Sequence, residues 1–485
     1  MLVAALGGGE RRLAETSARW ARLAWSGEAN WSSSAWSPDG KTIAILDSAS
    51  VSEPRGVFLI SVETGEKRRL TRPPDGTTGD SYPTFSPDGR ALAFVRFRGF
   101  GSSDIFLLPV ETGGEPRRLT SEQRDIRGLD WTADGGSLVF SSNRAGGQTL
   151  WKVPLSGGSI EPVAFGGQDV YSFSIARRGE RLVFEHYLAD TNLWRSPGPG
   201  LAGGRPAART VSFQQAAPLK AISSTKEDEA PQFSPDGARI AFSTNRSGYP
   251  EIWVSHSDGS GAVQVTSFRG SLSGSPRWSP DGRWLALDSR KEGNADIYVV
   301  ASDGGPVRRL TTDPSDEVRP SWSRDGRWIY FGSNRTGAWQ VWKTPPEPAA
   351  GSQPALQVTR NGGREAFESI DGQWVYFAKQ QGVFGLWRLP VQGGEETQLL
   401  DEGHQSLWGI LGEGICLFRS SPQGSTLDFF HPASRQRVRL AQLPSDWRIH
   451  TGSTPAFSIA PDGRSILWTR IDHIGSDLVL VEPFR

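Results

Sequence analysis

At 485 residues the chain is long enough for two or three ordinary domains, or for large closed β-rings that run long as single units. Its 53 basic and 53 acidic residues cancel, which argues against the basic face that nucleic acid selects. One cysteine excludes an internal disulfide, and six scattered histidines without a Cys/His cluster carry no zinc signature.

From the N-terminus, Met1 to Leu6 is too short for a signal peptide and lacks a basic start. No later apolar run approaches the roughly 18–20 residues that span a bilayer. Leu2 to Leu6 reads as a third strand and Arg11 to Ala14 as an outer strand, so the chain is expected to begin in the middle of a repeat. A helical turn or two near Glu15 to Arg22 is the only helical signal.

The repeat itself is a ten-residue word, clearest at Trp278-Ser279-Pro280-Asp281-Gly282-Arg283-Trp284-Leu285-Ala286-Leu287. An aromatic strand end, a Ser-Pro-Asp-Gly turn and an alternating apolar strand predict a β-hairpin. Close copies stand at Trp36–Gly40, Phe85–Gly89, Phe233–Gly237 and Trp322–Gly326, with looser ones at Trp131–Gly135, Ile175–Gly179, Glu368–Gly372 and Ile459–Gly463. With a degenerate copy at Leu411 to Phe418 they make ten units at a period near 45 residues. That period, with about four strands per unit, predicts β-propeller blades. Each hairpin is followed by a third strand with a central aromatic, as in Asp296-Ile297-Tyr298-Val299 and Asn192-Leu193-Trp194, and the final unit is expected to end at Asp477-Leu478-Val479-Leu480-Val481, a third strand with no fourth behind it. An outer strand such as Arg308-Arg309-Leu310-Thr311 closes the unit.

The step between Gly179 and Gly237 stretches to 58 residues, and the extra length is the Pro/Gly-rich run from Ser196 to Pro206. The expected organisation is therefore all-β. An incomplete propeller of about four blades spans 1–196, a linker 197–217, and a six-bladed ring 218–485 in which Leu219 to Ser223 supplies the last outer strand. A single ten-bladed ring closed by Arg11 to Ala14 is the other closure, and it exceeds the usual four to eight blades.

The words Pro-x-(Trp/Phe)-Ser-Pro-Asp-Gly-(Arg/Lys)-x-(Ile/Leu)-Ala-Phe at 83–94, 231–242, 276–287 and 320–331, with Asp-Ile-(Trp/Tyr)-Val and Arg-Arg-Leu-Thr behind them, resemble the repeats of TolB-type (WD40-like) β-propellers. The run to the ending Ser476 to Arg485 is also similar to the C-terminal region of bacterial winged-helix or serine/threonine-kinase membrane regulators. This resemblance implies a bacterial protein with the propeller in the periplasm or otherwise outside the cytoplasmic membrane. The expectation is a non-enzymatic interaction or sensory module of a truncated signalling or transcriptional regulator, binding a protein, peptide or small ligand. No cofactor, metal, nucleic acid or membrane segment is expected. Two alternatives are a TolB-like periplasmic scaffold and a peptidase-associated propeller without its hydrolase domain. Against the latter, the sequence has no Gly-x-Ser-x-Gly elbow and four residues follow the last strand.

Most motif residues read as structural. The turn carboxylates (Asp39, Asp88, Asp236, Asp281, Asp325) each sit in their own tight turn. The Ser/Thr-Asn-Arg triplets recur once per blade. The aromatics from Trp36 to Trp322 suit inter-blade packing, and Trp284, Trp328 and Trp374 follow the turns on the next strand. A propeller ligand is expected at the channel mouth, where the innermost strands begin, seven to nine residues before each turn glycine. Those positions are Asp228, Glu229, Glu317, Arg319, Arg364 and Glu365. No catalytic or metal-binding residue is expected.

Overall fold

The computed structural model describes residues 12–16 and 34–484, apart from 51–52, 76, 100, 122, 165–166, 168, 179, 208–217, 270–271, 348–354, 380–384, 403–405, 422–423 and 451–454. The expected strand at Leu2 to Leu6 and most of the Glu15 to Arg22 helical turn lie outside these residues. Residues 12–14, expected as an outer strand, carry no regular structure. Among the described residues all regular structure is β.

Local chemistry explains the repeat words. In the turn at 279–284, Ser279 Oγ donates to Asp281 Oδ1 at 2.5 Å and accepts the Trp284 N–H at 2.9 Å, while Asp281 Oδ1 accepts the Arg283 N–H at 3.1 Å. Gly282, at φ 69°, takes the left-handed position that closes the turn. The distant Asp and Thr words meet across the blade. Thr266 Oγ1 accepts the Ile252 N–H at 2.9 Å and donates to the buried Glu251 carboxylate at 2.6 Å. Thr120 does the same for Ile105 and Asp104, at 3.0 and 3.1 Å. The aromatic before the turn links neighbours: Trp278 Nε1 donates to Gln232 O, and Trp322 Nε1 to Arg277 O, each at 3.1 Å.

The chain divides into two compact units, residues 1–188 with 475–485, and residues 189–474. In the first, three four-stranded sheets run in sequence order: Ser34–Trp36 to Lys67–Arg69, Gly79–Phe85 to Arg117–Arg118, and Ile126–Trp131 to Glu161–Pro162. The fourth sheet starts with Val170–Ile175 and the first half of Leu182–Pro197. Its next strand is the end of Ser465–Val481, whose Val479 and Val481 pack on the cluster containing Phe184 and Ile175.

The second unit is a ring of six sheets, here blades I to VI. Blade I runs from Asp228–Phe233 to Val263–Gln264, and blade II from Ser273–Trp278 to Arg308–Arg309. Blade III runs from Glu317–Trp322 to Leu356–Gln357, blade IV from Glu365–Glu368 to Thr397–Leu400, and blade V from Trp408–Leu411 to Gln436–Gln442. Blade VI combines Phe457–Ile459, the start of Ser465–Val481, residues 189–197 and Leu219–Ile222. Successive blades share hydrophobic clusters, and the cluster around Trp468, Phe418 and Leu427 joins V to VI while that around Leu193, Phe242 and Leu467 joins VI to I. The ring is therefore closed.

Two strand assignments differ from the sequence reading. Asn192-Leu193-Trp194, expected in the N-terminal arc, is the third strand of blade VI, and Leu193 pairs with Ile222. Asp477 to Val481, expected there instead, belongs to the first unit. The Pro/Gly-rich run is ordered against the ring: Gly198 N–H donates to Arg464 O at 2.7 Å, and Leu201–Ala202 pairs with Arg205–Pro206.

Candidate functional site

Three of the ring's inner strands share one backbone device at their third residue. Ala230, Ser275 and Arg319 have φ of 54°, 53° and 57°, and each precedes a proline. The strand register shifts at each of these points. Proline has no N–H to give the ladder, so it is tolerated where a bulge interrupts pairing. A left-handed non-glycine residue is strained, and such strain gathers at sites the fold holds for a purpose. Around these bulges the strands Ser273–Trp278 and Glu317–Trp322 are buried almost throughout, with no polar face left to solvent.

The six residues singled out from the sequence fall into two groups. Asp228 is fully buried; its Oδ1 accepts from Arg246 Nη2 at 2.6 Å and its Oδ2 from Ser224 Oγ at 3.1 Å. Glu317 is likewise buried and ion-paired with Arg335. Both arginines come from the Thr/Ser-Asn-Arg triplets. The preceding asparagines tie down the residue just before the first strand of the same blade: Asn245 Oδ1 accepts the Glu227 N–H and Asn334 Oδ1 the Asp316 N–H, at 3.0 and 2.9 Å. These two acids are thus engaged within their own blades. Glu229 Oε1 lies 3.2 Å from His450 Nδ1.

The other three meet around blades II to IV. Arg319 Nη1 donates to Glu365 Oε1 at 3.3 Å and to Ser406 Oγ at 2.5 Å, and Glu365 Oε2 accepts the Ser406 N–H at 2.9 Å. The Arg319 N–H donates to Asp288 Oδ1 at 3.2 Å. Arg364 precedes Glu365 and stands over the Trp339 ring at 4.3 Å. Its backbone approaches blade III closely: a Cβ on Gly332 would lie 2.2 Å from Arg364 O. Sequence reasoning missed Arg277, which lies five residues before its turn glycine rather than seven to nine. Its Nη2 is 3.8 Å from Glu365 Oε1 and its guanidinium stands 5.1 Å from the Phe367 ring. The Arg-Trp pair right behind Pro276 was the available signal.

Burial dominates the electrostatics here. It pushes Arg277 down to about 10 and Arg364 down to about 9; the neighbouring Arg319 charge pushes both the same way, against Glu365 for Arg277 and Asp316 for Arg364. Burial also raises Asp288. Arg290 is held at 2.6 and 3.2 Å by both oxygens of Asp316.

One Ser-His-acid arrangement stands elsewhere in the ring. Ser434 Oγ lies 2.8 Å from His431 Nδ1, and His431 Nε2 lies 3.5 Å from Glu413. The same Nδ1 accepts the Ser434 N–H at 3.1 Å, so the imidazole closes a local turn instead of facing an incoming substrate.

The TolB β-propeller domain family matches residues 17–193 and 215–449. The chain belongs to that family. Dipeptidyl-peptidase 5 of Porphyromonas gingivalis is 26% identical over 162 residues, covering 31% of this chain and 23% of the relative. The uncharacterized peptidase YuxL of Bacillus subtilis is 27% identical over 216 residues, covering 43% of this chain and 29% of the relative. The match therefore spans less than a third of either relative's length. Among solved structures, the putative TolB from Agrobacterium tumefaciens is 19% identical with a TM-score of 0.29, covering 74% of this chain and 94% of that one. These findings correct the expected function. Two of the relatives are named as peptidases, which runs against a non-enzymatic sensory module, and the resemblance to winged-helix or kinase regulators finds no support in them.

Proposed function

We propose that this chain is a peptidase-associated propeller, whose ring binds peptide while a hydrolase domain or partner cleaves it. The observation that carries this reading is the pair of relatives named as peptidases, to which this propeller chain is similar. The ring's inner strands support it chemically. They hold arginine and carboxylate side chains from three neighbouring blades within reach of one another. Such fixed donors and acceptors suit the backbone amides and terminal charges of an extended peptide. The sequence has no Gly-x-Ser-x-Gly elbow, and the Ser434–His431 pair closes a turn. The propeller is accordingly assigned binding and not bond cleavage.

The test is equilibrium binding of the full chain to a library of short unstructured peptides, read by mass spectrometry of the retained fraction, alongside peptide turnover. Retention of peptides without cleavage is expected. If no peptide is retained at concentrations up to about 1 mM, the weakest affinity worth counting as recognition, the proposal fails. Cleavage that Ser434→Ala abolishes would replace it with an enzymatic reading.

A further inference from the structure

The ring contains arginines whose charges its own carboxylates do not match. Arg246, Arg290 and Arg309 each meet a carboxylate at 2.6 or 2.7 Å. Arg277 and Arg364 do not. Among the described residues the carboxylate nearest Arg277 is Glu365 at 3.8 Å, beyond hydrogen-bond distance, and Glu365 is already engaged by Arg319 and the Ser406 N–H. Arg277 Nη1 donates a long hydrogen bond, 3.5 Å, to its neighbour Pro276 O. Arg364 has no carboxylate within ion-pair distance among the described residues, and its Nε is buried without a hydrogen-bond partner. Buried donors are rarely left without acceptors in folded proteins, and exceptions mark a ligand, ion or water that the protein chain does not supply.

Resting on the peptide-handling reading above, we infer that Arg277 and Arg364, assembled around Arg319, form a carboxylate-binding site on the inner strands of blades II to IV. Its ligand is the carboxylate of a peptide, either the C-terminus or an acidic side chain. Guanidinium forks match a carboxylate in plane and in spacing, and the aromatic rings of Phe367 and Trp339 stand against the guanidinium groups at 5.1 and 4.3 Å. Charge favours a monoanion. Three arginines stand against Glu365 and Asp288, so one positive charge remains, and Arg290 and Asp316 cancel each other. The left-handed backbone at Arg319 holds the centre of the cluster in place.

The experiment measures binding to the full chain by calorimetry of four matched peptides: a free acid, its C-terminal amide, an amide with an internal glutamate, and the same amide with glutamine. A carboxylate preference of about tenfold or more is expected, as for a charge-assisted pair over a neutral one. Which acid-bearing peptide gains identifies the source as terminus or side chain. Arg277→Gln and Arg364→Gln should each erase most of that preference, and Arg364→Lys should keep part of it. A thermal-shift titration with acetate runs in parallel on each variant that gives the wild-type circular dichroism spectrum. Peptides bound without carboxylate preference overturn the site and leave the peptide function standing. No peptide binding, with acetate stabilisation lost in Arg277→Gln, supports the site and removes the peptide function. Neither peptide preference nor acetate stabilisation overturns both.

Discussion

Leu193→Ala separates the observed strand exchange from the order read along the chain. Leu193 is fully buried in blade VI, packed among Ile222, Phe233, Ile240, Phe242 and Leu467. A large-to-small change at such a site loses transfer energy and leaves a cavity, together about 3 kcal/mol. At about 2–4 °C per kcal/mol for a unit of this size, the melting temperature should fall by roughly 6–12 °C. The location of the loss is the more searching readout. Hydrogen exchange followed by mass spectrometry should show protection falling in Leu219–Ile222, Asp228–Phe233 and Arg239–Thr244, which share the Leu193 cluster. Ile126–Trp131 and Ser137–Ser142 pack in other clusters and should keep theirs. If protection falls in those strands while blade I is unaffected, Leu193 belongs to the N-terminal sheets and the ring closure described above is wrong.

Thr266→Val keeps the shape but leaves the Ile252 N–H and one Glu251 oxygen without their partner; a loss of about 1–3 kcal/mol is expected by urea unfolding. Asp281 is held down at about 2, chiefly by the Ser279 hydroxyl, against an ordinary value of 3.8. A carboxyl with a lowered folded value stabilises fully above about pH 4 and loses that contribution as the pH falls through about 2. The stability difference between wild type and Asp281→Asn should therefore be flat above pH 4 and shrink below it, and a difference that grew on acidification would refute the sign. Cys416 is fully buried and burial raises its thiol well above the usual range. It should resist a thiol reagent until denaturant opens blade V, and rapid labelling of the native chain would contradict that placement.

Much of the fold is legible in the sequence because each blade carries its instructions locally. The Ser-Pro-Asp-Gly turn is a network of a few adjacent residues, and the Asp and Thr words bond within one blade. What cannot be read is which third strand joins which sheet. Asn192-Leu193-Trp194 and Asp477-Leu478-Val479 have the same alternating form, and the choice between them is made by pairing and packing across more than two hundred residues of chain. The contact of Trp468 Nε1 with Ser196 Oγ at 2.8 Å is of this kind. The candidate site divides the same way. Spacing from the turn glycine marks Arg319 and Glu365 separately, but their meeting depends on blades III and IV standing side by side. Arg277 was hidden because it lies past the bulge, where the register shift moves its side chain out of the expected alternation. The acids at Asp228 and Glu317 fit the same spacing and yet are engaged by arginines of their own blades.

The most direct test of the account is to locate a bound peptide. A short peptide carrying a photoreactive residue next to its free C-terminus is bound to the full chain, cross-linked and mapped by mass spectrometry. Cross-links are expected on the inner strands of blades II to IV, around Ser273–Trp278, Glu317–Trp322 and Glu365–Glu368. Cross-links confined to outer strands such as Arg308–Arg309 or Leu356–Gln357, or none above the background of a scrambled, amidated control, would contradict it.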